Sequence, residues 1–298
     1  MKSDRREVSE IPTIRPRRPD SHKGDYGRAL IIAGSEGMTG AAGLAATAAM
    51  RAGAGLVTLA VPRSVYPIVA GPLSCFITKP LPETTEGTIS PEAISVLRPV
   101  LQSFDVIGLG PGISRNPNTR HFVLSLMPAL ERPVVIDADG LNLLAEEVAA
   151  IKVLRAEAVI TPHPGEAARL LGKTAAAVQS DRLASAFRLK ELTGATVVLK
   201  GYGTVVADAE RYYVNPTGNP GMASGGSGDV LLGVLVALIG QGYKPFQAAQ
   251  LGVYVHGLAG DIARDAVGEI SLTAADILDA LPAAFKKVAD TGRKARPT

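Results

Sequence analysis

Short, unbroken apolar runs recur along the chain, each closed by a glycine, proline or aspartate. Residues 29–33, 56–61, 106–109, 134–136, 158–161 and 196–199 are of this kind, and their lengths and flanks predict buried strands. Helix-length segments lie between and after them: 41–51, made almost wholly of small residues; 91–102; 141–148; a segment ending at 171; the amphipathic 181–192; then 230–240, 245–263 and 273–281. Residues 204–207 and 211–215 read as a hairpin about Asp208-Ala-Glu, and residues 66–88 show no strong period. Continuous apolar strands interleaved with helices predict a three-layer α/β/α architecture, a mostly parallel sheet covered on both faces. No long polar stretch interrupts residues 24–281, so one domain is expected over 21–285, with a flexible arm at 1–20 before it and a basic tail at 286–298 after it.

Composition narrows the classes. The chain has 298 residues, 46% hydrophobic and 20% charged, enough apolar surface for a sizeable core. The net charge of +3 is a property of the ends: residues 1–20 carry six bases against four acids, and residues 286–298 five against one, which leaves the body acidic. Aromatics make up 4%, so a basic stripe with stacking rings for nucleic acid is not expected. Cys75 is the single cysteine; it permits no internal disulfide, fits a reducing, cytoplasmic setting, and reads as a small buried hydrophobe. The longest apolar run, 230–240, is too short to span a bilayer, and no signal peptide is visible, so no membrane partner is expected.

Candidate chemistry gathers just after the strands. The densest stretch is Asn219-Pro-Gly-Met-Ala-Ser-Gly-Gly-Ser-Gly-Asp229, with four glycines in eight residues immediately before a helix. Glycines permit close backbone approach, and a helix start presents N–H groups to an anion. A carboxylate should not face a phosphate, so Asp229 makes sense facing the hydroxyl that attacks one, as an ionised general base; the bland alternative is a helix cap. Lys200, Gly201, Tyr202, Gly203 and Thr204 follow a strand and are either a hairpin turn or a phosphate cradle. His163, between two prolines, reads as a ligand contact. Asp137 and Asp139 either orient Mg²⁺ or hold a helix start, and Asn142 either caps or meets phosphate, so no residue is assigned as a metal ligand. His256 reads as structural. Gly108-Leu-Gly-Pro-Gly112 fails the dinucleotide fingerprint, because the spacing is wrong and Pro111 lacks an N–H. In open α/β sheets ligands bind outside the carboxyl ends of the strands, so these segments should converge on one crevice. The residues alone lead to phosphoryl transfer from ADP or ATP with an Asp base and an unspecified substrate.

His22-Lys-Gly-x-x-Gly27, Ala33-Gly-Ser35, Gly40-Ala-Ala42, Gly108-x-Gly-Pro-Gly112, Asp137-Ala-Asp139, Thr161-Pro-His-Pro-Gly-Glu166, Lys200-Gly-x-x-Thr204 and Asn219-Pro-x-Met-Ala-x-Gly-Gly-Ser-Gly-Asp229 occur together and in this order. In these motifs the chain resembles the ADP/ATP-dependent NAD(P)H-hydrate dehydratases of the ribokinase-like superfamily, over about residues 20–285. The resemblance implies a ribokinase-like fold and a repair reaction: the hydroxyl of hydrated NADH or NADPH (the S epimer) is phosphorylated from ADP or ATP with Mg²⁺, and phosphate then leaves. It implies that Asp229 is the base and a substrate contact, that Ala41 (with Ala42 as the neighbouring alternative), Gly112 and His163 touch the hydrated nucleotide, and that Lys200, Gly201, Tyr202, Gly203, Thr204 and Gly228 touch the adenine nucleotide. It further implies a homo-oligomer, specifically a homotetramer. Some relatives carry an epimerase domain, for which 298 residues leave no room. Two other readings stand beside it: a kinase of the same superfamily acting on a vitamin-precursor alcohol, and a catalytically silent nucleotide sensor.

Overall fold

Ten strands form one sheet in the computed structural model of the protein, which describes residues 5–71 and 74–294. The strands are β1 (Arg6–Glu7), β2 (Arg28–Ile32), β3 (Leu56–Pro62), β4 (Ile77–Leu81), β5 (Val106–Leu109), β6 (Val134–Ile136), β7 (Ala158–Ile160), β8 (Thr196–Leu199), β9 (Val205–Ala207) and β10 (Arg211–Val214). Their order across the sheet is β1-β10-β9-β8-β7-β6-β5-β2-β3-β4. Only the β8–β9 and β9–β10 pairings are antiparallel, the predicted hairpin contributing the second of them. The helices are α1 (Thr39–Arg51), α2 (Tyr66–Val69), α3 (Ala93–Leu97), α4 (Pro117–Leu126), α5 (Ala138–Leu144), α6 (Ala149–Lys152), α7 (Pro164–Leu171), α8 (Ala175–Ser180), α9 (Arg182–Thr193), α10 (Ser227–Gly240), α11 (Pro245–Val267) and α12 (Ala274–Lys294).

Alternation along each strand divides the core into two layers. Ile31, Val135, Val159, Val198 and Val206 face α1, α10, α11 and α12. Leu30, Ile32, Ile107, Leu109, Val134, Ile136, Ile160 and Val197 face the helices from α3 to α9. Both faces are buried, which is why the strands read as unbroken apolar runs. Gly108 turns toward α10, where a Cβ would stand 2.9 Å from Val236. Gly233 does the same between α10 and α1, where a Cβ would lie 2.2 Å from the Ala45 carbonyl oxygen. Small residues therefore let α10 sit close to both the sheet and α1.

The structure departs from the pattern-based reading at its margins. Residues 5–20, expected as a loosely held arm, are tied down. β1 pairs in parallel with β10, Gln250 donates to the Glu10 carbonyl at 2.8 Å, and Val8, Ile11 and Ile14 pack on the core. Residues 1–4 of that arm lie outside the described residues. β4 was hidden by Lys79 and Pro80; it pairs with β3 alone, and a sheet edge tolerates a proline that a central strand does not. α12 runs on through Pro282 to Lys294, beyond the expected end at 281, so the boundary expected at 285 falls inside a helix. Residues 295–298 of the predicted tail lie outside the described residues. Cys75 is exposed rather than buried. No described helix is long and apolar enough to cross a membrane.

Candidate active site

The strand order reverses between β2 and β5, and the loops leaving those two strands are laced together. Gly34 N–H donates to the Pro111 carbonyl at 2.8 Å, and the Ser35 hydroxyl donates to the Gly112 carbonyl at 2.8 Å. Gly110 has φ +129°, and a Cβ there would fall 1.9 Å from the Asp137 carbonyl oxygen, so no other residue fits. A Cβ on Gly112 would lie 3.1 Å from that of Ala41. Ala41 and Gly112, distant in sequence, thus lie side by side.

Lys200, Asp137, Glu166 and Gly228 form a second cluster. Lys200 leaves the end of β8 and places Nζ 2.6 Å from Asp137 Oδ1 and 3.9 Å from Glu166 Oε2. Both carboxylates are buried. Burial pulls the Lys200 ammonium down, but Asp137, Glu166 and Asp229 together hold its pKa above the ordinary lysine value. The backbone of Gly228 is packed against this group: a Cβ there would stand 3.2 Å from Lys200 Nζ and 3.5 Å from Asp137 Oδ2. The glycine stretch and the Lys200 turn therefore meet at one point.

Asp229 is the third residue of α10. The helix is capped by Gly226 without a side-chain bond, so Asp229 is not a cap. Ser224, three residues before α10, buries its hydroxyl without a partner among the described residues. Burial, then the neighbouring Asp137, raises the Asp229 pKa to about 7, with Lys200 opposing. The expectation of a fully ionised base at neutral pH is corrected: the helix dipole and Lys200 do not outweigh burial among other acids. A group that must be ionised to accept a proton then sets a clear pH dependence. If Asp229 is the base, kcat/KM should rise about tenfold per pH unit below neutrality and level off above about pH 7. A profile flat between pH 5 and 8, measured on the wild-type protein with a non-titrating control, would remove Asp229 from the rate-limiting proton transfer.

His163 caps α7: its Nδ1 accepts from Gly165 N–H at 3.0 Å and Glu166 N–H at 3.3 Å, while Glu166 Oε2 accepts from His163 N–H at 2.8 Å. Burial, then Lys200, holds its pKa below the usual histidine value. The ring is half exposed, and its Nε2 stands 3.3 Å from Glu166 Oε1. Asp139 accepts from Ser114 N–H and from Asn142 Nδ2, and Asn142 in turn accepts from Arg169. Asp139 and Asn142 therefore brace the loop after Gly112, and Asp137 is the acid that faces the site. Residues 200–204 form a tight turn with positive φ at Gly201 and Gly203, closed by a Thr204 Oγ1 bond to the Gly201 carbonyl at 3.0 Å. Tyr202 projects fully into solvent.

Sequence reasoning passed over two supports. Glu166 was quoted in a motif but given no role; its place three residues after His163 is capping-box spacing. His256, read as structural, is buried on α11 with Nε2 3.0 Å from the Ser227 carbonyl oxygen, at the first residue of α10. Burial depresses its pKa to about 4, so at neutral pH it stands uncharged and donates from Nε2 to that oxygen.

The family model described as NAD(P)H-hydrate dehydratase matches residues 29–283. The chain is 51% identical over 269 residues to a bifunctional NAD(P)H-hydrate repair enzyme of Moorella thermoacetica, covering 90% of this chain and 51% of that protein. It is 38% identical over 261 residues to an ADP-dependent (S)-NAD(P)H-hydrate dehydratase of Neisseria meningitidis, covering 86% and 83%. Among solved structures it is similar to an ADP/ATP-dependent NAD(P)H-hydrate dehydratase of Bacillus subtilis co-crystallised with ATP and Mg²⁺, with a TM-score of 0.78, 29% identity and coverage of 93% and 95%. The chain spans about half the length of the bifunctional relatives it matches.

Proposed function

The chain belongs to the NAD(P)H-hydrate dehydratase family, and on that premise we propose that it dehydrates the S epimer of hydrated NADH or NADPH at the expense of ADP or ATP, releasing phosphate. The observation that carries the reading is the meeting of Lys200 Nζ with the Gly228 backbone, one residue before Asp229. It brings the Lys200 turn, the start of α10 and a carboxylate to one place, which supports a phosphate site there. Residues 200–204 and Gly228 take the adenine nucleotide. Ala41, Gly112, His163 and Asp229 take the hydrated nucleotide from the other side.

Asp229 accepts the ring hydroxyl proton as that oxygen attacks the terminal phosphorus, and the bond from phosphorus to the leaving nucleotide breaks. Lys200 and the first N–H groups of α10 stabilise the charge on the transferring group. The ring carbon–oxygen bond then breaks with its electron pair leaving on phosphate, a neighbouring carbon loses its proton to water, and that C–H pair becomes the restored double bond. Asp137 and Glu166 offer the hard oxygen donors that suit Mg²⁺ carried in by the nucleotide, since Mg²⁺ is usually held by one or two carboxylates, phosphates and water. When bound, Mg²⁺ neutralises phosphate charge. No group of three or more His, Cys, Asp or Glu is arranged as a metal cage among the described residues. Cytoplasmic location, in keeping with a lone cysteine, and homotetrameric assembly belong to the same proposal.

The test is incubation with hydrated NADH, Mg²⁺ and either ADP or ATP. Recovery of NADH absorbance with stoichiometric phosphate supports the reading. A stable phosphorylated product without recovered absorbance would make the protein a kinase, and nucleotide binding without turnover of any substrate would make it a sensor.

A further inference from the structure

The Lys200 turn is held from behind by a cation that the reaction above does not use. Arg182 is the first residue of α9, at the positive end of the helix dipole, where a cation is disfavoured. Its guanidinium reaches back to the end of β8. Nη2 donates to the Leu199 carbonyl at 2.8 Å and the Lys200 carbonyl at 3.2 Å, and Nη1 donates to Gln179 Oε1 at 2.7 Å. Nε is buried without a partner among the described residues. All the acceptors are neutral, and burial, with no acid opposing it, holds the arginine below its ordinary pKa. Gly201 is pressed onto the same group: a Cβ there would lie 2.9 Å from Nη1, and its φ is +139°.

Two consequences follow from this placement. In a trans peptide the N–H points away from the preceding carbonyl. Binding the Lys200 carbonyl backward therefore turns the Gly201 N–H into the turn, where its bond to Thr204 Oγ1 is long, 3.3 Å. Second, a partly desolvated charge without a counter-ion is costly until an anion comes near.

We propose that Arg182 is a positioning residue for the adenine nucleotide, holding the Lys200–Thr204 backbone in its phosphate-facing conformation and lending it uncompensated positive charge from below. This rests on the assignment of residues 200–204 to the nucleotide. The experiment is calorimetric titration of ADP and of Mg·ATP, without hydrate, into wild type, Arg182→Gln and Arg182→Lys, alongside steady-state kinetics and thermal melting. Arg182→Gln should bind either nucleotide about tenfold more weakly, with KM for the nucleotide rising by the same factor and KM for the hydrate and kcat within about twofold. Arg182→Lys, which keeps the charge but not the two-carbonyl fork, should fall between. Wild-type nucleotide affinity in both variants, whatever happens to Tm, overturns the proposal, as does an equal rise in both KM values. If Arg182→Gln does not fold, Arg182→Lys decides alone, on whether its nucleotide Kd moves. If wild type binds nucleotide but never restores NADH, the dehydratase reading fails while the titrations still judge Arg182.

Discussion

Replacing Asp229 by asparagine should lower kcat by about 10³ or more while leaving ADP and ATP affinity within about twofold of wild type. Asparagine keeps the shape of the side chain and its place in the first turn of α10 but cannot take a proton. The same substitution should make the protein more heat-stable at pH 8 than wild type and indistinguishable from it at pH 4. The sign comes from linkage. The folded pKa is raised from an ordinary carboxylate value to about 7, so between the two the native state holds a proton that the unfolded chain has lost. Stability therefore falls as pH rises across that window, and the full cost is present above it. Asparagine has no charge to bury. Full activity in the variant would remove Asp229 as the base. A variant that is inactive but destabilised at pH 8 would show that the carboxylate is structural.

Lys200→Met should damage both stability and chemistry. Asp137 and Glu166 are buried and face the ammonium at 2.6 and 3.9 Å; without it two carboxylates stand together with no cation. Breaking a buried pair on one side costs about 3 kcal/mol or more, which should register as a clear drop in Tm. Turnover should fall by about 10² to 10³, the range for losing a preorganised charge at the transferring group. Because Lys200 opposes the rise in the Asp229 pKa, residual activity should also need a higher pH than wild type. If this lysine were only the exposed first residue of a hairpin turn, Tm and the pH profile would both stay where they are. The charge-conserving Lys200→Arg should not restore turnover, since the planar guanidinium fork is wider than an ammonium and the Gly228 backbone already closes on that point.

The sheet and its helices were legible because both faces of each central strand are buried, so that β2, β5 and β8 show as plain apolar runs. The candidate residues stood out because strand ends, glycines and lone acids coincide in the sequence, and the fold brings Lys200, Asp137 and Gly228 together. What stayed hidden depends on neighbours that sequence does not display. β4 is permitted its Pro80 only by lying at an edge. Residues 5–20 look like solvent-facing charge, yet Arg5 stacks 3.8 Å over the Phe187 ring and Arg15 4.3 Å over that of Tyr243, with apolar Val8, Ile11 and Ile14 between them on the core. Asp137 and Asp139 could not be ranked by spacing; the fold separates them by directing one to Lys200 and the other to Ser114. The protonation of Asp229 was misjudged because its helix terminus is visible in sequence and the surrounding acids are not.

The seam between α1 and α10 reaches beyond packing. Both helices run away from the crevice, one starting beside Ala41 and the other carrying Gly228 and Asp229, and they are locked to each other where Gly233 meets Ala45, Ala48 and Ala49. The spacing between the starts of the two helices is therefore gauged by a run of methyl groups and one missing side chain, well back from the proposed chemistry. Loops at the mouth can vary in sequence without altering that calibration, whereas a single added carbon at position 233 would recalibrate it.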